Sequence, residues 1–250
     1  MLNALLWHCH KFAFYYFTCA IFTVKNSNNN SKIIPIDCCL PQPNNMNIKK
    51  LHYYSGIIIS IFVGTHLFNH LFGLYGANAH IEMMNHLRVV YRNPIAETIL
   101  LATIVVQIFS GVKLFLKKRK KVSDFFEKSK IWTGLYLAFF LLIHSSAVLF
   151  GRLFLNLDTN FYFGAAGLNV FPVNIFFIPY YGLAMISFFL HVSAIHSKKM
   201  KWNILGVEPR KQSYLILIMG LITILVIFYG FTNGFSGVVI PAEYGIIIGK

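Results

Sequence analysis

Six histidines sit inside or at the mouth of long apolar runs: His52, His66 and His70 in one run, His144 in another, His191 and His196 in a third. An imidazole is costly to bury among apolar neighbours in a membrane, and the default reading of such a residue is a functional site. The accompanying residue types narrow the chemistry. Only Glu97 among the acids falls inside an apolar run, near its end. No carboxylate pair is therefore available for acid–base hydrolysis, and no chain of acids marks a proton or sodium pathway. The four cysteines, Cys9, Cys19, Cys38 and Cys39, all precede Met46, so the main body can build neither a thiolate metal site nor an iron–sulfur ligand set. If iron is present, imidazole must hold it. Two neutral imidazoles facing one another across a helical bundle are what six-coordinate haem iron requires.

Depth separates scattered histidines from a constellation. His66 lies 16 residues beyond Lys50, about 24 Å along a helix, and His144 lies 14 residues beyond Lys130, about 21 Å at the same rise. Both segments run in the same direction, so the two imidazoles fall at nearly one level. Gly64 and Thr65 on one helix, and Ser145, Ser146 and Ala147 on the other, are small enough to leave room for a macrocycle. His70, one turn from His66 on the same face, either contacts a propionate or water or is itself the ligand. The alternative for any single intramembrane histidine is a hydrogen bond to a neighbouring helix. His191 is the remaining deep histidine. The position at its depth on the second helix is Gln107, which hydrogen-bonds well but is a poor haem ligand. Two readings stand: Gln107 and His191 form a quinone or vacant pocket, or His191 binds a second haem with an unusual partner. His196, near Lys198, is read as interfacial.

The elements that must position these side chains are membrane helices. The chain of 250 residues is 56% hydrophobic and 12% charged, against about 25% charged in ordinary soluble domains. Five apolar stretches, at about 52–75, 95–116, 132–154, 173–196 and 213–231, are long enough to cross about 30 Å of hydrocarbon. Backbone polar groups cannot go unpaired in lipid, so each is expected to be a helix. The predicted fold class is all-α, a polytopic bundle of five transmembrane helices in residues 46–250. Residues 1–45 are read as a poorly ordered or mis-assigned N-terminal extension, with Met46 as the initiator. Ala79 to Arg92 places Ile81, Met84, Leu87 and Val90 at helical spacing, as in a helix lying in the interface. The segment 156–174, rich in aromatics, glycine and asparagine, is expected to fold back on the bundle.

The formal net charge of +14 does not indicate nucleic acid, because the basic residues form blocks between apolar runs rather than one face. Lys113 to Lys130 carries eight of them; Lys198, Lys199, Lys201, Arg210 and Lys211 form another block, and Lys49 and Lys50 precede the first helix. The alternate loops hold only Arg88, Arg92 and Arg152. The positive-inside rule then puts Lys49 in the cytoplasm and the C-terminus outside, the expected site being a bacterial cytoplasmic membrane. No nucleophile–base pair, phosphate loop or zinc set supports a soluble enzyme, and no inverted pair of broken helices supports a transporter.

Several short motifs add a resemblance. Lys-Leu-His52-Tyr-Tyr-Ser-Gly56 followed by His66, Trp132-Thr-Gly134 leading to His144, and Glu208-Pro209-Arg210-Lys211-Gln212 after His191 resemble the five-helix cytochrome b anchor subunits of succinate dehydrogenases and fumarate reductases. Gly76 to His80 and Asn93-Pro94 are similar as well. The likeness spans about residues 49–230. It implies haem b held by His66 and His144, a second haem site of which His191 is half and Gln107 occupies the other half, quinone as electron partner, and docking of iron–sulfur and flavoprotein subunits on the cytoplasmic face. The reading from residues alone keeps a haem-free membrane scaffold or assembly protein as the alternative.

Overall fold

The computed structural model describes residues 47–119 and 124–249; the N-terminal extension and its cysteines, with Lys120 and Lys121 of the longest basic loop, lie outside them. Five helices among the described residues are long and apolar enough to span a membrane. They are α1 (Ile48–Leu71, continued by a 3₁₀ turn at Phe72–Tyr75), α3 (Pro94–Lys118), α4 (Phe125–Leu153), α6 (Asn174–Lys199) and α7 (Pro209–Phe231). Two short helices, α2 (Ala77–Tyr91) and α5 (Phe161–Asn169), lie at one end. The protein is a polytopic all-α bundle.

The spans outrun their apolar windows at the basic ends, where lysine stems reach along lipid while their heads stay wet. Helix α4 starts at Phe125 rather than near 132. Its N-cap Asp124 accepts a hydrogen bond from Glu127 N at 3.2 Å, and Glu127 pairs with Lys198 of α6. Asn93 caps α3 with Pro94 as its first residue, a start signal that satisfies one orphan N–H and removes another.

In packing, α1 lies on α3, α3 on α4, α4 on α6 and α6 on α7, and α7 returns to α1 and its 3₁₀ turn. The closure depends on glycine. A Cβ on Gly230 of α7 would stand 2.6 Å from the backbone carbonyl carbon of Gly73, so only the missing side chain lets the two backbones meet. Gly76, at φ +97°, then turns the chain sharply into α2.

Small polar residues are placed at the helix contacts, and large apolar ones cover much of the outer surface. Ser55, Thr103, Ser110, Thr133, Ser193 and Ser213 are buried, while Ile58, Ile61, Ile99, Leu215, Ile218 and Leu225 are exposed. Small hydroxylated residues at helix contacts let backbones approach in lipid, where apolar burial supplies no driving force between helices.

At the end opposite the lysines, α5 folds back onto the bundle and buries Phe161, Ala165 and Leu168 against Leu67, Ile227 and Phe231. Asn169 Nδ2 donates to Phe231 O at 2.9 Å, and its Oδ1 accepts from Val238 N at 3.0 Å. Tyr244, fully buried, donates to Asp158 O at 2.9 Å. The segment 156–174 thus caps one mouth of the bundle together with the C-terminal turn.

Helix α2 differs from its sequence pattern. Its buried face carries His80 and Met84, whereas Val90 is 71% exposed. The polar His80 takes the inward place because a hydrogen-bonding partner waits there, as described below.

Candidate functional site: a histidine-lined cavity

Between the five spans lies a partly open cavity of about 930 Å³, near the top of the range for small-molecule and cofactor sites. Its lining starts at Lys49, Lys118 and Lys130, passes His52 and His191, then His66, His70 and His144, and ends at Arg88, Arg92 and Arg152. The site therefore has two tiers, one toward the lysine end and one toward the arginine end.

In the arginine-end tier, α1 presents His66 and α4 presents His144. The two ring centroids are 6.2 Å apart, so the matched depths do bring these imidazoles together. Phe62 stacks on His66 and Phe140 on His144, each one turn before its histidine, which fixes both rings. No hydrogen bond to the His144 ring is made by the described residues, although its helix neighbour Ser145 bonds back to Leu141 O. His66 Nε2 lies 3.0 Å from His70 Nε2, and His70 Nδ1 lies 3.0 Å from His80 Nε2. His80 Nε2 also meets Asn69 Nδ2 at 3.2 Å. His80, 1% exposed, belongs to this tier, and the sequence reading missed it. Its signal was the spacing of His80, Met84 and Arg88, one turn apart on one face of α2.

The lysine-end tier is organised differently. Thr133 Oγ1 gives its proton to Ser129 O at 2.6 Å, so at the 3.2 Å contact with His191 Nδ1 it is the acceptor. His191 is thereby assigned the Nδ1–H tautomer, with a lone pair on Nε2. Across the cavity, Ser55 donates to Gln107 Oε1 at 2.5 Å, which aims Gln107 Nε2 at His52 Nε2, 3.4 Å away. His52 Nδ1 donates to Ser110 Oγ at 2.9 Å. Gln107 therefore partners His52, a residue that sequence reasoning left at the helix entrance. Glycines make space for both rings: a Cβ on Gly134 would meet His191 Cε1 at 3.0 Å, and one on Gly111 would meet His52 Cε1 at 3.3 Å. His196 accounts for itself as a structural bond, its Nε2 lying 2.8 Å from Gln212 Oε1.

The small residues flanking the first-tier histidines are placed otherwise than expected. Gly64, Thr65, Ser146 and Ala147 face outward, and only Ser145 lines the cavity. The room comes instead from Ala138, Ala184 and Gly164.

Among the described residues, no three His, Cys, Asp or Glu side chains converge as a metal-ion cage. Two opposed imidazoles suffice for a metal that brings its own equatorial ligands in a macrocycle. The donor set fits such a group: His144 has no protein partner, the walls are largely apolar, and the Arg88 Nε has no hydrogen-bond partner at the far end. That end could balance carboxylates, since Arg152 pairs with Glu97 at 2.5 Å and Arg88 with Asp158 at 2.8 Å while Arg92 donates to the neutral Thr159 Oγ1 at 3.0 Å. Ligation through His66 Nε2 exchanges its bond to His70 for the metal. Comparison with family models, curated proteins and solved structures returned no match.

Proposed function

We propose that the chain is a membrane-anchor electron-transfer subunit that holds haem b in the arginine-end tier between His66 and His144. The observation that carries this reading is the His144 imidazole, without a hydrogen bond among the described residues, facing His66 in the cavity. The His144 ring is half-buried and open to the cavity, so a ring nitrogen that makes no hydrogen bond among the described residues is free to take a ligand. Bound haem supplies reversible one-electron transfer, whose potential the protein sets through ligand identity and burial. Phe62 and Phe140 hold the two rings, and Arg92, whose partner Thr159 is neutral, offsets propionate charge.

The lysine-end tier binds the head group of a quinol. The lone pair on His191 Nε2 accepts a hydrogen bond from a quinol hydroxyl, and Thr133 holds the ring in the tautomer that can do so. The lysine-rich mouth faces the cytoplasm by the positive-inside rule and docks an iron–sulfur partner. The resemblance of its short motifs to those of succinate dehydrogenase and fumarate reductase anchors is in keeping with this assignment.

The test is a reduced-minus-oxidised optical spectrum of the purified full chain beside His66→Ala and His144→Ala. The expected result is a b-type α-band that both substitutions abolish. A wild-type protein from haem-replete cells with no band would instead identify a haem-free scaffold.

A further inference from the structure

The cavity opens on one side. Among its described lining residues, Lys49, Tyr53, Ile57, Ser60 and Ile61 on α1 are exposed on the outer surface, as are Lys198 and Lys199 at the end of α6. No described lining residue of α3, α4 or α7 is exposed. Tyr53, Ile57, Ser60 and Ile61 recur at the spacing of one helix face, and so do the lining residues Phe188, Val192, Ile195 and Lys199 of α6. The two faces flank one seam. Helix α1 packs on α3 along one side and reaches α7 through Leu67, Ile227 and Phe231 and through the approach of Gly73 to Gly230, all toward the arginine end. No packing of that extent joins α1 to α6.

Both ends of the seam are bounded. Toward the lysines, Lys199 Nζ lies 5.1 Å from the ring centroid of Tyr53, the reach of a cation–π contact, and ties α6 to α1. Toward the arginines, Val63 and Phe188 pack against the buried cluster of Leu67, Ile227 and Phe231. From Tyr53 to Val63 the helical rise covers about 15 Å, half of about 30 Å of hydrocarbon. The rims are apolar, with Ile57 and Ile61 on α1 and Val192 and Ile195 on α6. Behind them the lining is polar. His52 adjoins Tyr53 and His191 adjoins Val192, and both imidazoles line the cavity with Gln107. The seam therefore lies level with the lysine-end tier.

Chemistry selects what can use such an opening. Both rims belong to membrane-spanning helices, so lipid lies outside and only a molecule dissolved in lipid arrives there. Its inner end must hydrogen-bond to imidazole and amide, and the part between the rims must be slender and apolar. A charged phospholipid head group would have to leave the interface to reach His191, at a high desolvation cost. The two tiers share about 930 Å³, the space of one cofactor-sized ligand, so a long tail has no room inside. We propose that the seam between α1 and α6 is a lateral portal for a quinol with a long isoprenoid or alkyl tail, an inference that rests on the quinol reading of the lysine-end tier. The head group sits at His191, and the tail passes between Ile57 and Ile61 on one rim and Val192 and Ile195 on the other into the bilayer.

The portal separates the route of the quinol from the lysine mouth, which is left to the water-soluble partner. Ser60 is the smallest exposed side chain on the α1 rim, and a large residue there would fill the seam. Ile58, exposed on the same helix but outside the cavity lining, faces lipid alone.

The experiment is photolabelling of the full chain in phosphatidylethanolamine–phosphatidylglycerol vesicles by a benzoquinol with a diazirine partway along a decyl tail. Cross-linked residues are mapped by mass spectrometry, with and without excess unlabelled decyl quinol. The expected result is labelling at Ile57, Ser60, Ile61, Val192 or Ile195 that the unlabelled quinol suppresses. Ser60→Trp should cut that labelling about tenfold by overfilling the seam, and Ile58→Trp should leave it unchanged. Labelling confined to the lysine mouth overturns the portal. So does labelling spread over the lipid-facing surface that unlabelled quinol does not suppress. The wild-type map decides this even if Ser60→Trp does not fold. His191→Ala separates the portal from the reading beneath it. Suppressible labelling that is lost from the seam supports both, whereas labelling that persists there unchanged keeps the portal and overturns the head-group site at His191. No suppressible labelling anywhere in the wild type overturns both.

Discussion

The two tiers of the cavity use the same residue type to opposite ends. Toward the lysines, each imidazole is held by hydroxyl or amide groups on a neighbouring helix: His191 by Thr133, and His52 by Ser110 and Gln107. Toward the arginines, imidazoles bond to one another, and His144 bonds to nothing among the described residues. A histidine with a hydroxyl on Nδ1 has a fixed tautomer and one nitrogen to offer a ligand. A histidine bonded to another histidine has interchangeable donor and acceptor nitrogens. Second partners thus decide whether the tautomer of an intramembrane imidazole is fixed or left open until a ligand binds.

Substitutions can break this contrast, and the largest effect belongs to His144. Since it makes no hydrogen bond among the described residues, His144→Ala should abolish haem binding while leaving the thermal unfolding temperature within a few degrees of haem-free wild type. Comparable loss of fold would mean that His144 is a structural contact. In the other tier, His191→Ala should keep the α-band and slow electron transfer from an added quinol, read by stopped-flow haem reduction, by about 10²-fold, the usual worth of a positioned acid–base group. A fall in haem from two per chain to one would instead make His191 a ligand, with His52 opposite.

Next in size is Gly230→Ala. The added Cβ must push apart two backbones already 2.6 Å from that position, at a cost of about 1–3 kcal/mol for overpacking. Denaturant melts in detergent would show it, and the arginine-end tier should lose haem first because that closure holds His70 and His80 in place.

A smaller effect is expected from pH. The His80 pKa is about 4 in the folded chain against about 6.5 when unfolded. Between those values the unfolded chain binds a proton and the folded chain does not, so stability falls as pH drops from 6.5 to 4. His80→Gln should make the fall of the thermal unfolding temperature across that window shallower. The smallest effect belongs to Lys211→Ala at the exposed lysine end, where the pair with Glu208 spans 3.8 Å and is worth well under about 1 kcal/mol; its melt should match the wild type.

Much of the fold is legible in the sequence, because lipid leaves long apolar runs few alternatives to helices. The depth of His66 and His144 is legible too, since helical rise converts residue counts from flanking lysines into distance. Helix rotation is not. Gly64 and Thr65 turn outward, and Ser145 but not Ser146 turns to the cavity, because small residues whose hydroxyls bond back to their own helix are tolerated on either face and no polarity contrast fixes it. Gln107 was legible as the residue level with His191, yet Ser55 turns it toward His52, a choice set by a single hydroxyl two helices from His191. His80 escaped because a short surface helix with a mixed pattern hides one buried polar side chain among several exposed ones.

The account turns on whether the arginine-end tier holds a haem. Haem quantified per chain in wild-type protein purified from haem-replete cells, with His144→Ala alongside, tests that directly. At least one haem per wild-type chain is expected, and essentially none in the variant. A wild-type value near zero, or an unchanged value in His144→Ala, would contradict it.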